Sequence, residues 1–265
     1  MGISVIVPCY QQSHYLAEAI RSVKAQTRSD WELIVAAGCD DCATEAKKHV
    51  EARVLEGLHD GAAHARNVAV DAASHDYILN LDADDMMEPT MLDRLASVVD
   101  PNAKEMIVST GIRRFGRDTG VSTWPPPFDR TALPEANQLP TSSIFTKALW
   151  RKAGGYNVAL IGYEDWNFWI DCCYRGAPLV RHISDPLLLY RVHDASSTHR
   201  TAHWDEVQRA MIRLLHPELH SPQRLAASRQ ILERAPADAI ERLRRRAERF
   251  PDNPDIRQFL TLVTH

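Results

Sequence analysis

The densest chemistry in the chain is Asn80-Leu81-Asp82-Ala83-Asp84-Asp85. A strand turns successive side chains to opposite faces, so Asp82 and Asp84 share a face as the chain leaves a sheet. Two carboxylates converging there can hold Mg2+ or Mn2+, hard cations that take oxygen ligands. Such a metal neutralises a diphosphate held at the same edge. Alone, the motif has a plainer use, because acidic residues ahead of a helix are commonly caps. A second acidic pair, Glu164-Asp165, opens another predicted helix. That position favours the ionised carboxylate, the form a general base needs at neutral pH. In isolation this pair, too, reads as complementation of the helix dipole.

Other residues carry chemistry by type but not by spacing alone. Cys39-Asp40-Asp41-Cys42 has the spacing of a redox pair or of half a zinc site. Zinc needs a second pair, and adjacent Cys172-Cys173 has poor geometry for one, so the spacing reads as chance. Five cysteines, an odd number, argue for reduced thiols. His199 and His203 stand four apart, as a helical metal pair would, but lack an acidic partner. Taken singly, Arg66 is a surface residue, Tyr10 a packing aromatic and His193 a hydrogen-bonded structural histidine. Trp166, Trp169, Ile170 and Cys173 share one helical face and read as core. Trp166, beside Asp165, is the one of these to test for stacking on a ligand.

The elements that must position these residues alternate strand and helix. Ile3–Val7 reads as a buried strand, and Ser13 as the cap of a helix carrying Leu16, Ile20 and Val23. Residues 31–36, 54–55 and 77–81 follow as strands, with helices over 44–52 and 62–73. Pro89 sits where a first helical turn accepts proline, ahead of Met91, Leu92, Leu95 and Val98. Repeated βαβ units imply a mostly parallel sheet with helices on both faces, and ligands bind beyond the carboxyl ends of such strands. Residues 8–12, 36–41 and 82–85 all lie there. Further on, 107–110 and 112–115 read as two strands, 147–153 and 164–175 as helices stopped by glycine, and 179–183 and 186–192 as two closing strands. Beyond His199 the texture changes to Arg-rich helices broken near Pro217, Pro222, Pro236 and Pro251.

Composition narrows the function classes. The 265 residues are 45% apolar and 25% charged, ordinary values for a globular chain with a large core. A net charge of −4 gives no basic field for nucleic acid. The longest apolar runs are strand-length, well short of the roughly 20 residues of a membrane span. No signal peptide is visible, which points to the cytoplasm.

Taken in order, the motifs resemble the family 2 glycosyltransferases of the GT-A fold. Ser4-Val5-Ile6-Val7-Pro8-Cys9-Tyr10 resembles their opening strand and loop, and residues 16–27 (LAEAIRSVKAQT) their first helix. Trp31-Glu32-Leu33-Ile34-Val35, the segment from Gly61 to Ala65-Arg66-Asn67, and residues 77–85 (YILNLDADD) follow in register. Gly154-Gly155-Tyr156 then precedes Tyr163-Glu164-Asp165-Trp166, similar to the family's ED motif. Tyr190-Arg191-Val192-His193 with Ser196-Ser197 resembles the end of the catalytic core. The resemblance implies an α/β, Rossmann-like GT-A domain over residues 1–200, a mostly parallel sheet flanked by helices, with a helical extension over 201–265. It implies an inverting, metal-dependent transfer of a sugar from a nucleotide-diphosphate donor, a UDP-sugar by first choice, to an acceptor hydroxyl. That acceptor would be glycan or lipid-linked, in polysaccharide, glycolipid or other glycoconjugate synthesis. Pro8 and Tyr10 would line the base pocket, Arg66 would meet nucleotide or diphosphate, and Asp82 would approach ribose or metal. Asp84 would be the main ligand of Mg2+ or Mn2+, His193 would lie near it, and Asp165 would be the general base. Glu164 and Trp166 would face the acceptor.

After the second strand the family usually has two aspartates before Gly-Ser, whereas this chain has Ala36-Ala37-Gly38-Cys39. Asp40 or Asp41 offers a carboxylate from a shifted loop. The departure keeps a competing reading open, a non-catalytic GT-A domain that binds a nucleotide sugar or a protein partner. The C-terminal helices are expected to serve homo-oligomerisation, acceptor recognition or peripheral association at the inner face of a membrane.

Overall fold

The computed structural model describes residues 1–122, 124–194 and 202–263 and divides into two compact units. Unit 1 comprises Met1–Tyr156 and Phe168–His193; unit 2 comprises Asn157–Asn167 and Asp194 onward.

Unit 1 is built on a nine-stranded mixed sheet among the described residues. Its strands are β1 (Ile3–Cys9), β2 (Trp31–Ala37), β3 (Ala52–Leu55), β4 (Tyr77–Asn80), β5 (Met86–Met87), β6 (Met106–Gly116), β7 (Gly120–Val121), β8 (Ile144–Thr146) and β9 (Leu179–Val192). They lie in the order β3-β2-β1-β4-β8-β6-β9-β5, with β7 on β6. The expected parallel pattern holds across β3-β2-β1-β4, where crossovers run through helices. Antiparallel β8 then joins that half to β6, which pairs β9 in parallel.

One face of β1 and β2 presents Val5, Val7, Cys9, Leu33, Val35 and Ala37 to a core shared with α1 (Ser13–Lys24), α2 (Asp40–Ala46) and α4 (Met91–Ser97). Helix α1 buries Leu16, Ala19, Ile20 and Val23, the apolar stripe of an amphipathic helix. Helix α3 (Ala62–Ala72) packs on β1 and β2. Helix α5 (Lys147–Ala153) starts at the Thr146 cap and stops at Gly154, whose φ of 88° suits glycine. Helix α6 runs over Glu164–Arg175.

Several local expectations shift. Gln12, not Ser13, is the N-cap of α1 and makes no side-chain cap bond, because its amide is used elsewhere. Helix α2 begins at Asp40 rather than at residue 44, with Asp40 and Asp41 in its first turn. Thr90 is the N-cap of α4, so Pro89 lies just outside that helix. The two strand pairs expected at 107–115 and 179–192 are single long strands, β6 and β9, with a register shift around Gly111. A Cβ at Gly111 would stand 2.7 Å from the Ser184 carbonyl oxygen, so the close passage needs glycine.

Unit 2 holds α7 (Asp205–Leu215), α8 (Pro222–Glu233), α9 (Ala237–Arg249) and α10 (Pro254–Val263), the proline-punctuated helices expected there. Residues 157–167 join this unit, so its limits differ from a simple break at 200/201. Asn157 Nδ2 donates to Asp255 Oδ2 at 2.8 Å, and Arg246 Nη1 to the Val158 carbonyl at 2.6 Å. Buried Val207, Met211, Leu232, Leu243, Ile256 and Phe259 come from all four helices. No helix of the described residues is long and apolar enough to cross a membrane. Ser196, Ser197 and His199 lie outside the described residues.

One tertiary clamp in unit 1 carries a stability test. Asn67 on α3 donates from Nδ2 to the Tyr156 carbonyl at 2.8 Å, and its Oδ1 accepts the Tyr156 N–H at 2.7 Å and the Trp150 indole at 3.2 Å. Asn67→Ala removes the partner of all three groups, and the expected cost is about 2 kcal/mol. The result is a lower urea midpoint at unchanged slope. A wild-type midpoint would show that the turn holds without the clamp.

Candidate functional site

Parallel register places the carboxyl ends of β1 and β4 side by side. Ile6 stands opposite Asn80, and the Leu81 N–H donates to the Ile6 carbonyl at 2.8 Å, carrying the ladder one residue past β4. The acidic turn then folds tightly, with the Asp85 N–H on the Asp82 carbonyl at 3.0 Å. Beneath it, buried Asn80 donates to the Tyr156 hydroxyl at 2.7 Å.

Each carboxylate of the turn has different company. Asp82 Oδ1 accepts from Arg66 Nη2 at 2.8 Å. Arg66 is only 4% exposed, and its guanidinium carbon lies 5.6 Å from the centre of the Tyr156 ring. Asp84 Oδ2 meets two groups, the Gln12 amide at 2.6 Å and His193 Nε2 at 2.9 Å. His193 comes from 109 residues away, just beyond β9, and its ring stands 5.0 Å from that of Tyr15. Asp85 is buried, and its Oδ1 accepts the Arg191 N–H at 2.8 Å. Burial, then the charges of Asp84 and Asp82, push the Asp85 carboxyl well above the usual carboxylate range, with Arg191 opposing them.

Arg191 fastens the turn to its surroundings. Its Nε donates to the Asp84 carbonyl at 2.7 Å and its Nη2 to Glu18 at 2.7 Å. Its guanidinium stacks between Tyr15 and Phe115, 4.5 and 4.4 Å from the ring centres. Neither Arg191 nor Gln12 was singled out for a role by sequence reasoning. The signal for Arg191 was strand alternation, which puts it on the face of β9 that leads to His193. Gln12 carried none, because Ser13 was read as the cap and the residue before it as loop.

The structure thus brings Asp84 and His193 together and pairs Arg66 with Asp82. Pro8 is half-buried at the end of β1, and Tyr10 projects beyond it at 51% exposure. Ala36 and Ala37 are buried opposite Pro8 and Cys9 in the β1–β2 ladder, so the end of β2 is core rather than a polar rim. Asp40 and Asp41 are exposed on α2. In unit 2, Glu164 and Asp165 occupy the first turn of α6, as expected. Trp166 is 3% exposed, with the Arg209 guanidinium 5.1 Å from its ring centre and Tyr163 edge-on at 5.8 Å. That ring has no open face for a sugar, and the stacking expectation gives way to packing. His203 pairs Asp238 at 2.8 Å, a surface contact in the same unit.

A carboxylate oxygen and an imidazole nitrogen converging from distant parts of the chain suit Mg2+ or Mn2+ when substrate phosphates complete the shell. Among the described residues no group of three or more His, Cys, Asp and Glu is placed to hold an ion alone. One carboxylate and one imidazole could take a divalent metal only with further ligands from outside this pair.

The chain resembles known proteins along most of its length. It is 28% identical over 217 residues to an uncharacterized glycosyltransferase, EpsJ, of Bacillus subtilis, covering 74% of this chain and 62% of that one. Over a shorter stretch it is 33% identical to a UDP-Glc:alpha-D-GlcNAc-diphosphoundecaprenol beta-1,3-glucosyltransferase, WfgD, of Escherichia coli, covering 37% of this chain and 40% of that one. The chain spans less than two-thirds of the length of the first relatives it matches, from 23% to 66%. In structure it superposes on Staphylococcus aureus TarS 1-349 in complex with UDP-GlcNAc at a TM-score of 0.64 and 17% identity, over 100% of this chain and 91% of that one. It also superposes on the mannosyltransferase PcManGT of Pyrobaculum calidifontis in complex with GDP-Man and Mn2+, at 0.59 and 19%, over 99% and 84% of the two chains. The fold is that of these GT-A proteins. The profile of glycosyl transferase family 2 matches residues 4–153, more than half of the chain, which is therefore a member of that family.

Proposed function

We propose that the chain is a metal-dependent, inverting glycosyltransferase that moves a sugar from a nucleotide-diphosphate donor to an acceptor hydroxyl, in the synthesis of polysaccharide, glycolipid or another glycoconjugate. The observation that carries this reading is the meeting of Asp84 and His193 at 2.9 Å beyond the end of β4. UDP, UDP-GlcNAc and GDP-Man complexes of structural neighbours support a nucleotide-sugar donor, and the Mn2+ in one supports a divalent metal.

The residues divide the work. Pro8 and exposed Tyr10 form the rim on which a base is held. Asp84 and His193 hold the metal together with the donor's phosphates, and Gln12 orients Asp84 through the oxygen they share. Arg66, buried on Asp82, fixes that carboxylate for ribose or metal and lends positive potential to the diphosphate side of the turn. A bound divalent metal supplies neutralisation of the charge that grows on the leaving diphosphate. Asp165, in the role the family motif gives it, takes the proton of the acceptor hydroxyl as that oxygen attacks the anomeric carbon, which inverts it. We place the enzyme in the cytoplasm, at the inner face of the membrane when its acceptor is lipid-linked.

Buried Ala36 and Ala37 favour a second reading, a domain that binds a nucleotide sugar or a partner without turnover. Two variants separate the readings. Asp84→Ala removes the main hard ligand, and metal-stimulated transfer is expected to fall about a hundredfold or more, the scale of losing electrostatic stabilisation. Full activity without divalent metal in that variant would sink the metal assignment. Asp165→Asn should lower turnover by about 100- to 10,000-fold with donor affinity unchanged. Unaltered turnover would remove Asp165 from the chemistry, and no turnover in the parent chain with any donor would favour the binding domain.

A further inference from the structure

Three of the five cysteines meet beside the acidic turn. Cys9 ends β1, Cys39 is the extended residue before α2, and Cys42 lies in the first turn of α2. The Cys39 thiol donates to the Cys42 sulfur at 2.7 Å. Gln11 and Gln12 follow in the loop between β1 and α1. Gln11 holds a φ of 58°, a left-handed turn that brings successive amides to one side, as anion-binding nests do. The neighbouring Cys9 thiol first, with burial opposing it, and then Cys39 and the Gln12 and Gln11 amides, draw the Cys42 thiol down to about 6. Cys9 is pushed up. Cys172 and Cys173, by contrast, are pushed up by burial within α6 and serve as small hydrophobes.

This arrangement is more than a chance spacing, because the fold brings the Cys39 and Cys42 sulfurs to 2.7 Å. It is also wired to the proposed donor site. Gln12, three residues after Cys9, donates its side-chain amide to Asp84 at 2.6 Å. Gly38, next to Cys39, donates to the Cys9 carbonyl at 2.8 Å, and a Cβ there would stand 3.0 Å from the Tyr10 ring. Of the three, Cys9 and Cys42 are buried, while Cys39 is partly exposed and reachable from solvent.

We propose that Cys39 and Cys42 are a redox-active dithiol that closes to a disulfide on reaction with a small-molecule disulfide, and that closure weakens nucleotide binding at the acidic turn. The second clause rests on the donor reading above. The Cys39 sulfur attacks one sulfur of the small disulfide, passing its proton to the Cys42 sulfur and releasing one small thiolate. Cys42, giving that proton to the released thiolate, then attacks the Cys39 sulfur and expels the second small thiolate. Cys39 and Cys42 lose two electrons together, and the small disulfide gains them. Closure draws Cys39 toward Cys42 and with it Gly38, whose N–H holds the Cys9 carbonyl and whose Cα lies against Tyr10, so the rim proposed for the base shifts.

The test takes the full chain through a series of glutathione and glutathione disulfide buffers, with alkylation and peptide mass mapping. A Cys39–Cys42 linkage, two hydrogens lighter and reversed by dithiothreitol, is expected; Cys39→Ser abolishes it. Nucleotide affinity is then measured for UDP, GDP, dTDP and CDP with Mn2+. The oxidised chain should bind about tenfold more weakly than the reduced one, a typical coupling. By linkage, saturating nucleotide should make the pair harder to oxidise by about 30 mV. Cys39→Ser should bind equally in both buffers. Free Cys39 and Cys42 in folded chain at the most oxidising ratio, or a linkage through Cys9 or Cys172 instead, would overturn the dithiol site. Equal affinity of the two forms would overturn its control of the pocket. If the reduced chain binds no nucleotide, the donor reading and the control clause fall together, and the linkage map alone decides the dithiol.

Discussion

Asp82, Asp84 and Asp85 crowd three carboxylates into the turn after β4, and the surrounding chain is arranged to let them stay there. Like charges this close disfavour the fold unless each is answered, and burial with its two neighbours pushes the Asp85 carboxyl up. The answers come from four parts of unit 1. Arg66 on α3 takes Asp82, Gln12 and His193 take Asp84, and Arg191 reaches Asp85 by its main chain and the turn by its side chain. The parallel β1–β4 register is what brings those parts within reach. A turn held this way has its carboxylates fixed by side chains from elsewhere in unit 1, the order that a cation site as proposed would need.

The run from β1 to α4 was legible in the sequence because its signals are local. Ile3–Val7 is a buried strand by composition, and Leu16, Ile20 and Val23 mark a helix face by spacing. The acidic turn and the Glu164-Asp165 helix start were legible for the same reason. What stayed hidden was non-local. Two long strands looked like four short ones, because Gly111 and the Ser184-Asp185 stretch interrupt the apolar pattern where β6 and β9 slip register. Arg191 holds the site through contacts to α1, β6 and the turn, which no spacing announces. Residues 157–167 belong with the C-terminal helices through Asn157 and Val158, contacts made across about ninety residues or more.

The end of β2 shows how a departure from the family pattern acquires physical meaning. Ala36 and Ala37 are sealed against β1, so the end of β2 itself carries no carboxylate, and the next ones along the chain are exposed Asp40 and Asp41 on α2. The thiols of Cys9, Cys39 and Cys42 lie at the end of β1 and the start of α2, while the turn after β4 keeps its acids.

Thermal melting of the full chain against UDP, GDP, dTDP and CDP, each with and without Mn2+, tests the central claim most directly. A ligand of the native state raises the melting temperature as its concentration exceeds its Kd. The predicted result is one nucleotide that shifts the melt only when Mn2+ is present. No shift with any nucleotide, or an equal shift without metal, would contradict the account.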